Sequence, residues 1–128
     1  MTSPLHPATM VGFVATTDAA RSRAFYEGQL GFRVVSDDGY GMMVEANGQT
    51  MRIQKLKTLT PQPFTVLGWN VDDLAATAAR LAAVGVKGEH FPGVTQNADG
   101  IVDFPDGTRL MWMKDPDGNI LSVAQMPR

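Results

Sequence analysis

Two histidines, thirteen aspartate and glutamate side chains and no cysteine are the groups from which this chain could build a metal site or a nucleophile. The missing thiol excludes disulfides and thiolate chemistry. His6 lies in a Pro-flanked terminal segment, PLHPAT, where chains favour disorder. His90, in GEHFPG, is placed to line a pocket rim, but a lone histidine on a short strand is more often a half-exposed surface residue. Asp37-Asp38, Asp72-Asp73, Asp103, Asp106, Asp115 and Asp117 fall in turn- and cap-forming sequences, where a carboxylate bonds nearby amides and shapes the chain. Glu45, at the end of GMMVE, is the one acid kept as a pocket-rim candidate. Neither a strained serine nucleophile turn nor a Gly-rich phosphate cradle occurs, and GVTQNADG reads as a loop.

Whatever these groups do, a folded body must hold them. With 128 residues, 44% hydrophobic and 19% charged, the chain has the size and balance of one soluble globular domain. No apolar run approaches the roughly 20 residues of a membrane helix. MTSPLHPATM has neither a basic nor an apolar signal region, so no signal peptide and no membrane partner are expected. The net charge of −2, with only Arg52, Lys55 and Lys57 close together, argues against a nucleic-acid partner. A cytoplasmic protein is the expectation.

The elements come in two similar sets. MVGFVATT alternates as a strand, Asp18 stands where a helix N-cap would, and DAARSRAFYEGQL places Phe25, Tyr26 and Leu30 near one helical face before Gly31. FRVVS follows as a strand, then YGMMVEA and TMRIQKL form a hairpin around Asn47-Gly48. In the second set FTVLGWNV is a strand, Asp72-Asp73 caps, and Leu74, Ala78 and Leu81 recur at helical spacing up to Gly85. KGEHF, TRLMWMK and NILSVAQ supply its later strands. The expected architecture is α+β: one domain over 1–128, made of two tandem βαβββ modules, 9–57 and 63–126, joined by TLTPQP.

FYEGQLGF (25–32), KDPDGNILSVAQ (114–125) and the repeated βαβββ order make the chain similar to the glyoxalase, bleomycin-resistance and extradiol-dioxygenase superfamily, with its vicinal-oxygen-chelate fold. That resemblance implies a curved, half-barrel mixed sheet with helices on its outer face and a cup inside. In metal-dependent members four side chains, one from the first and one from the last strand of each module, hold a divalent ion in that cup. The equivalent positions here are Val11, Gln54, Val66 and Ser122, which offer one amide and one hydroxyl. No metal and no other cofactor are therefore expected.

The residues expected to face the cup include Phe13, Arg52, Gln54, Asn70 and Ser122, with Met43 and Trp112 added as ligand-binding candidates. Parity leaves open whether Trp112 or the pair Met111/Met113 points inward, and Met42 and Met43 pose the same choice. Trp69 is read as core. An inward Arg52 demands an anion, either Glu45 or a ligand carboxylate or enolate. Such a lining suits a small aromatic or amphiphilic molecule, so a metal-free binding protein is expected. The alternatives are a lyase, isomerase or other enzyme of the superfamily. One is metal-independent, with Arg52 as electrophile and Glu45 or His90 as acid or base. The other has metal ligands not recognised in the sequence. A homodimer is implied by the resemblance.

Overall fold

The computed structural model describes residues 2–127. The first half runs β1 (Gly12–Thr16), α1 (Ala19–Arg23), β2 (Arg33–Asp37), β3 (Gly41–Ala46) and β4 (Gln49–Lys55). The second runs β5 (Thr65–Asn70), α2 (Leu74–Ala83), β6 (Val102–Asp103), β7 (Arg109–Lys114) and β8 (Ile120–Gln125). Two four-stranded mixed sheets result, ordered β1-β4-β3-β2 and β5-β8-β7-β6. In each, the first strand pairs parallel to the last, and the other neighbours are antiparallel. This is the two-module α+β arrangement.

Local chemistry accounts for the element ends. Asp18 and Asp73 cap their helices, accepting from the amides of Arg21 and Ala76 at 3.1 Å. Asn47 and Gly48 both take positive φ, 54° and 76°, as the tight β3–β4 turn requires. The first helix is α-helical only to Arg23. Ala24–Gln29 continues it in π geometry, with Leu30 donating to the Phe25 carbonyl at 2.9 Å. This wider turn replaces the uniform helix expected and lets the consecutive Phe25 and Tyr26 both bury. His6 lies in a turn rather than in disorder, its amide donating to Ser3 O at 3.0 Å.

KGEHF does not form a strand. Residues 87–101 run irregularly, and β6 comes only afterwards. Pro92 lacks an amide donor, and Gln96 takes over the ladder's role. Its carbonyl accepts from Phe91 N, and its amide donates to the Glu89 and Gly100 carbonyls, each at 2.8 Å. One backbone bond, Glu89 N to Trp112 O at 2.8 Å, ties the segment to β7.

Alternation along each strand sends one face of each sheet into a common core. Val14, Met42, Val44 and Ile53 from the first sheet, Met111, Met113, Leu121 and Val123 from the second, and Phe25, Tyr26, Leu74 and Ala78 belong to one cluster. Polar bonds then bind the halves together, and most come from the Asp115–Asn119 turn. Asp117 accepts from the Thr16 hydroxyl (2.6 Å) and the Thr17 amide (3.0 Å), and pairs with Arg21 at 3.0 Å. Asn119 donates to the Ala15 carbonyl at 2.9 Å, and the Tyr26 hydroxyl donates to Asp115 at 2.7 Å. The turn that aims β8 is therefore also the clasp between modules.

Burial first, and then the Asp115 carboxyl, push the Tyr26 hydroxyl far above its usual value. An unfolded tyrosine ionises near pH 10, while the folded one keeps its proton. The resulting stabilisation is complete below about pH 10 and is lost as pH rises above it, by about 1.4 kcal/mol per unit. Urea midpoints measured across pH 9–11.5 are expected to fall along this slope for the native chain, and along a shallower one for Tyr26→Phe.

Candidate functional site

The sheet faces turned away from the core carry the candidate residues. Register places Phe13, Arg52 and Met43 side by side across β1, β4 and β3, with Ala15, Gln54 and Gly41 in the next row. On the second sheet Gly68, Ser122 and Trp112 form a row across β5, β8 and β7, followed by Asn70, Ala124 and Leu110. All seven sequence candidates thus lie opposite the core: Phe13, Met43, Arg52 and Gln54 on one sheet, Asn70, Trp112 and Ser122 on the other. Met42, Met111 and Met113 are buried in the core, which leaves Met43 and Trp112 on the opposite faces.

Two glycines fit polar groups closely onto these faces. A Cβ at Gly68 would lie 2.5 Å from Ser122 Oγ, and one at Gly41 would lie 3.2 Å from Arg52 Nε. Arg52 is spread over Gly41 toward Asp38, whose two carboxyl oxygens each lie 3.3 Å from Nη2. Amide bonds from Tyr40 and Gly41, and then Arg52, hold the Asp38 carboxyl below its usual range. Glu45, one of the two partners expected for Arg52, pairs instead with Arg33. Sequence alone makes Asp38 a turn residue. It is one, accepting from the Tyr40 and Gly41 amides, and it also neutralises the one cation among the candidates. His90 stands apart from Arg52, its Nε2 3.0 Å from Asn97 O.

Sequence reading missed Phe91. Its ring meets Trp112 edge-to-face, with centroids 5.4 Å apart and planes at 89°. Held by Gln96, the irregular 87–101 segment sets Phe91 beside the indole and braces an aromatic surface on the second sheet.

A cavity of about 740 Å³ lies elsewhere, where β1 and β5 run side by side. Phe32, Met51, Leu67 and Trp69 line it, and none of the seven candidates does. Trp69 is consequently not wholly core. It packs on the core cluster, meets Phe32 at a centroid distance of 5.8 Å, and keeps part of its ring on the cavity.

Residues 5–123 match the profile of the Glyoxalase/Bleomycin resistance protein/Dioxygenase superfamily. The chain belongs to this superfamily. A search of curated proteins gives no match. Among solved structures, the bleomycin resistance determinant encoded on transposon Tn5 is similar at TM-score 0.73 and 23% identity, covering 92% of this chain and 97% of that one. A bleomycin-binding protein complexed with bleomycin is similar at TM-score 0.71 and 22% identity, covering 91% and 97%. Lactoylglutathione lyase from Agrobacterium tumefaciens is similar at TM-score 0.68 and 16% identity, covering 93% and 94%. At these identities the likeness is one of fold.

Val11, Gln54, Val66 and Ser122 are the positions at which the resemblance implies metal ligands. Val11 precedes β1, and Val66 is the extra residue of an irregularity between the Thr65 and Leu67 pairs. Two aliphatic side chains, an amide and a hydroxyl do not fit a divalent transition metal. Among the described residues no group of three or more His, Cys, Asp or Glu is close enough together to hold an ion. Nor is any helix there long and apolar enough to cross a membrane.

Proposed function

We propose that this chain is a metal-free binding protein of the superfamily, taking a small aromatic or amphiphilic molecule on the helix-free faces of its sheets. The observation that carries the reading is an aromatic surface, Trp112 braced by Phe91, beside Ser122, together with the lack of metal donors at Val11 and Val66. Phe13, Met43, Arg52, Gln54, Asn70, Trp112 and Ser122 are the contacts proposed for the guest. Aromatic faces supply contact area, and the few polar groups orient the molecule. The bleomycin complex of a fold relative supports a small-molecule guest.

Phe13 is half exposed and Phe64 58% exposed, and both lie on or beside strands at the edge of their sheets. Burying these exposed rings against a second copy supports a homodimer. A cytoplasmic setting, without nucleic-acid or membrane partners, belongs to the same proposal.

The test begins with elemental analysis after expression with manganese, iron, nickel and zinc supplied. About one ion per chain would remove the reading; trace metal is expected. Thermal-shift screening with bleomycin and other flat or amphiphilic compounds follows. A stabilising compound is expected to bind at least about tenfold more weakly to Trp112→Ala, the cost of losing one well-packed aromatic contact. A screen without any stabiliser counts against the proposal.

A further inference from the structure

We infer a second, independent binding site in the 740 Å³ cavity between β1 and β5, suited to a neutral aromatic molecule. The volume falls in the range of small-molecule pockets. None of the residues lining it is ionisable, so a charged guest would be desolvated there without a counter-charge. Its walls include Phe32 and Trp69, whose planes meet at 46° and give a guest ring two inclined aromatic surfaces.

Packing explains why the space stays open. β1 and β5 come together at Gly12, where a Cβ would lie only 3.0 Å from Leu67 Cδ1. No ladder joins the two strands, since each is the edge of its own sheet. Gly12 and Leu67 bring the strands close and themselves line the cavity. Phe32, Leu67 and Trp69 rest on the core cluster but remain only partly buried. Thr9, Gln49 and Thr50 also line the cavity, with side chains that make no hydrogen bond among the described residues. They give a guest neutral donors and acceptors. This site shares none of the seven contacts proposed for the sheet faces, and only Gly68, beside Ser122, borders both, so either can exist without the other.

The chain's two tryptophans separate the sites experimentally, Trp69 reporting on the cavity and Trp112 on the sheet face. In the full-length Trp112→Phe variant, Trp69 is the sole tryptophan. Titration with the neutral fluorophore N-phenyl-1-naphthylamine is expected to quench it saturably, one probe per chain, with sensitised probe emission. Adding Ala46→Phe, whose ring would fill the cavity from the end of β3, is expected to abolish that signal. Should Ala46→Phe not fold, backbone amide shifts in the unaltered protein decide instead. Probe-dependent shifts at Gly12 and Gly48 support the site, and unmoved resonances overturn it. Unsaturable quenching, or quenching indifferent to Ala46→Phe, also overturns it. So does probe binding that disappears as the protein is concentrated, because a second copy would then occupy the seam. Failure of every ligand at Trp112 with retained quenching of Trp69 would sink the sheet-face reading alone.

Discussion

Asp115→Ala is expected to lower the free energy of unfolding by about 4 kcal/mol, a loss seldom produced by one polar side chain. Asp115 is 5% exposed and accepts four hydrogen bonds: from the Tyr26 hydroxyl, the amides of Asp117 and Asn119, and the Asn119 side chain. Truncation leaves the fully buried Tyr26 hydroxyl without its acceptor, at about 1–3 kcal/mol. It also removes the bonds that shape the turn, and with them the placement of Asn119 on Ala15 and Asp117 on Thr16. Tyr26→Phe deletes only the first of these bonds and spares the turn, so about 1.5 kcal/mol is expected from it. Urea unfolding of both variants and of the double variant checks the argument. The double variant is expected to lose less than the sum, since both changes remove one shared bond. Equal losses from the two single variants would mean that the turn does not depend on Asp115.

Gly88→Ala is the second large effect, about 3 kcal/mol with a local signature. A Cβ at Gly88 would lie 2.1 Å from the Asp99 carbonyl oxygen and 3.2 Å from Met111 Cε. The nearer atom is backbone, so relief requires the two ends of the 87–101 segment to part. That movement pulls on Gln96, which bonds both Glu89 and Gly100, and draws Phe91 away from Trp112. Red-shifted tryptophan emission and faster hydrogen exchange at Phe91 and Ile101 are expected, with α1 amides unaffected. Weaker binding of any sheet-face ligand should accompany them. Unchanged emission with the same loss of stability would place the strain elsewhere.

The two modules, their caps and the β3–β4 turn were legible because each rests on local chemistry. Asp18 and Asp73 cap within three residues, and Asn47-Gly48 adopts the conformation its own backbone favours. Strand phase was less legible where apolar residues are consecutive. In Met42-Met43 and Met111-Trp112-Met113 the pattern has no polar partner to mark the outer face, and pairing with Ile53, Arg52 and Ser122 decides it. KGEHF was misread because its strand-like composition is overridden from outside the segment, by the side chain of Gln96. Arg52's partner was hidden for a related reason: Asp38 reaches it only once the β3–β4 register is set. Phe91 and the half-open position of Trp69 depend on contacts between segments distant in sequence, which alternation does not encode.

The clasp also bears on how the chain is made. Its bonds join Ala15, Thr16 and Tyr26 to residues 89 to 104 positions further on. During synthesis from the N-terminus, the first module emerges complete in strands and helix while its Tyr26 hydroxyl and Thr16 still bond only to water. Contacts so remote along the chain form slowly and late. Until the Asp115–Asn119 turn is available, the first module lacks this clasp, and a ribosome stalled before that turn is expected to carry a protease-sensitive half-protein.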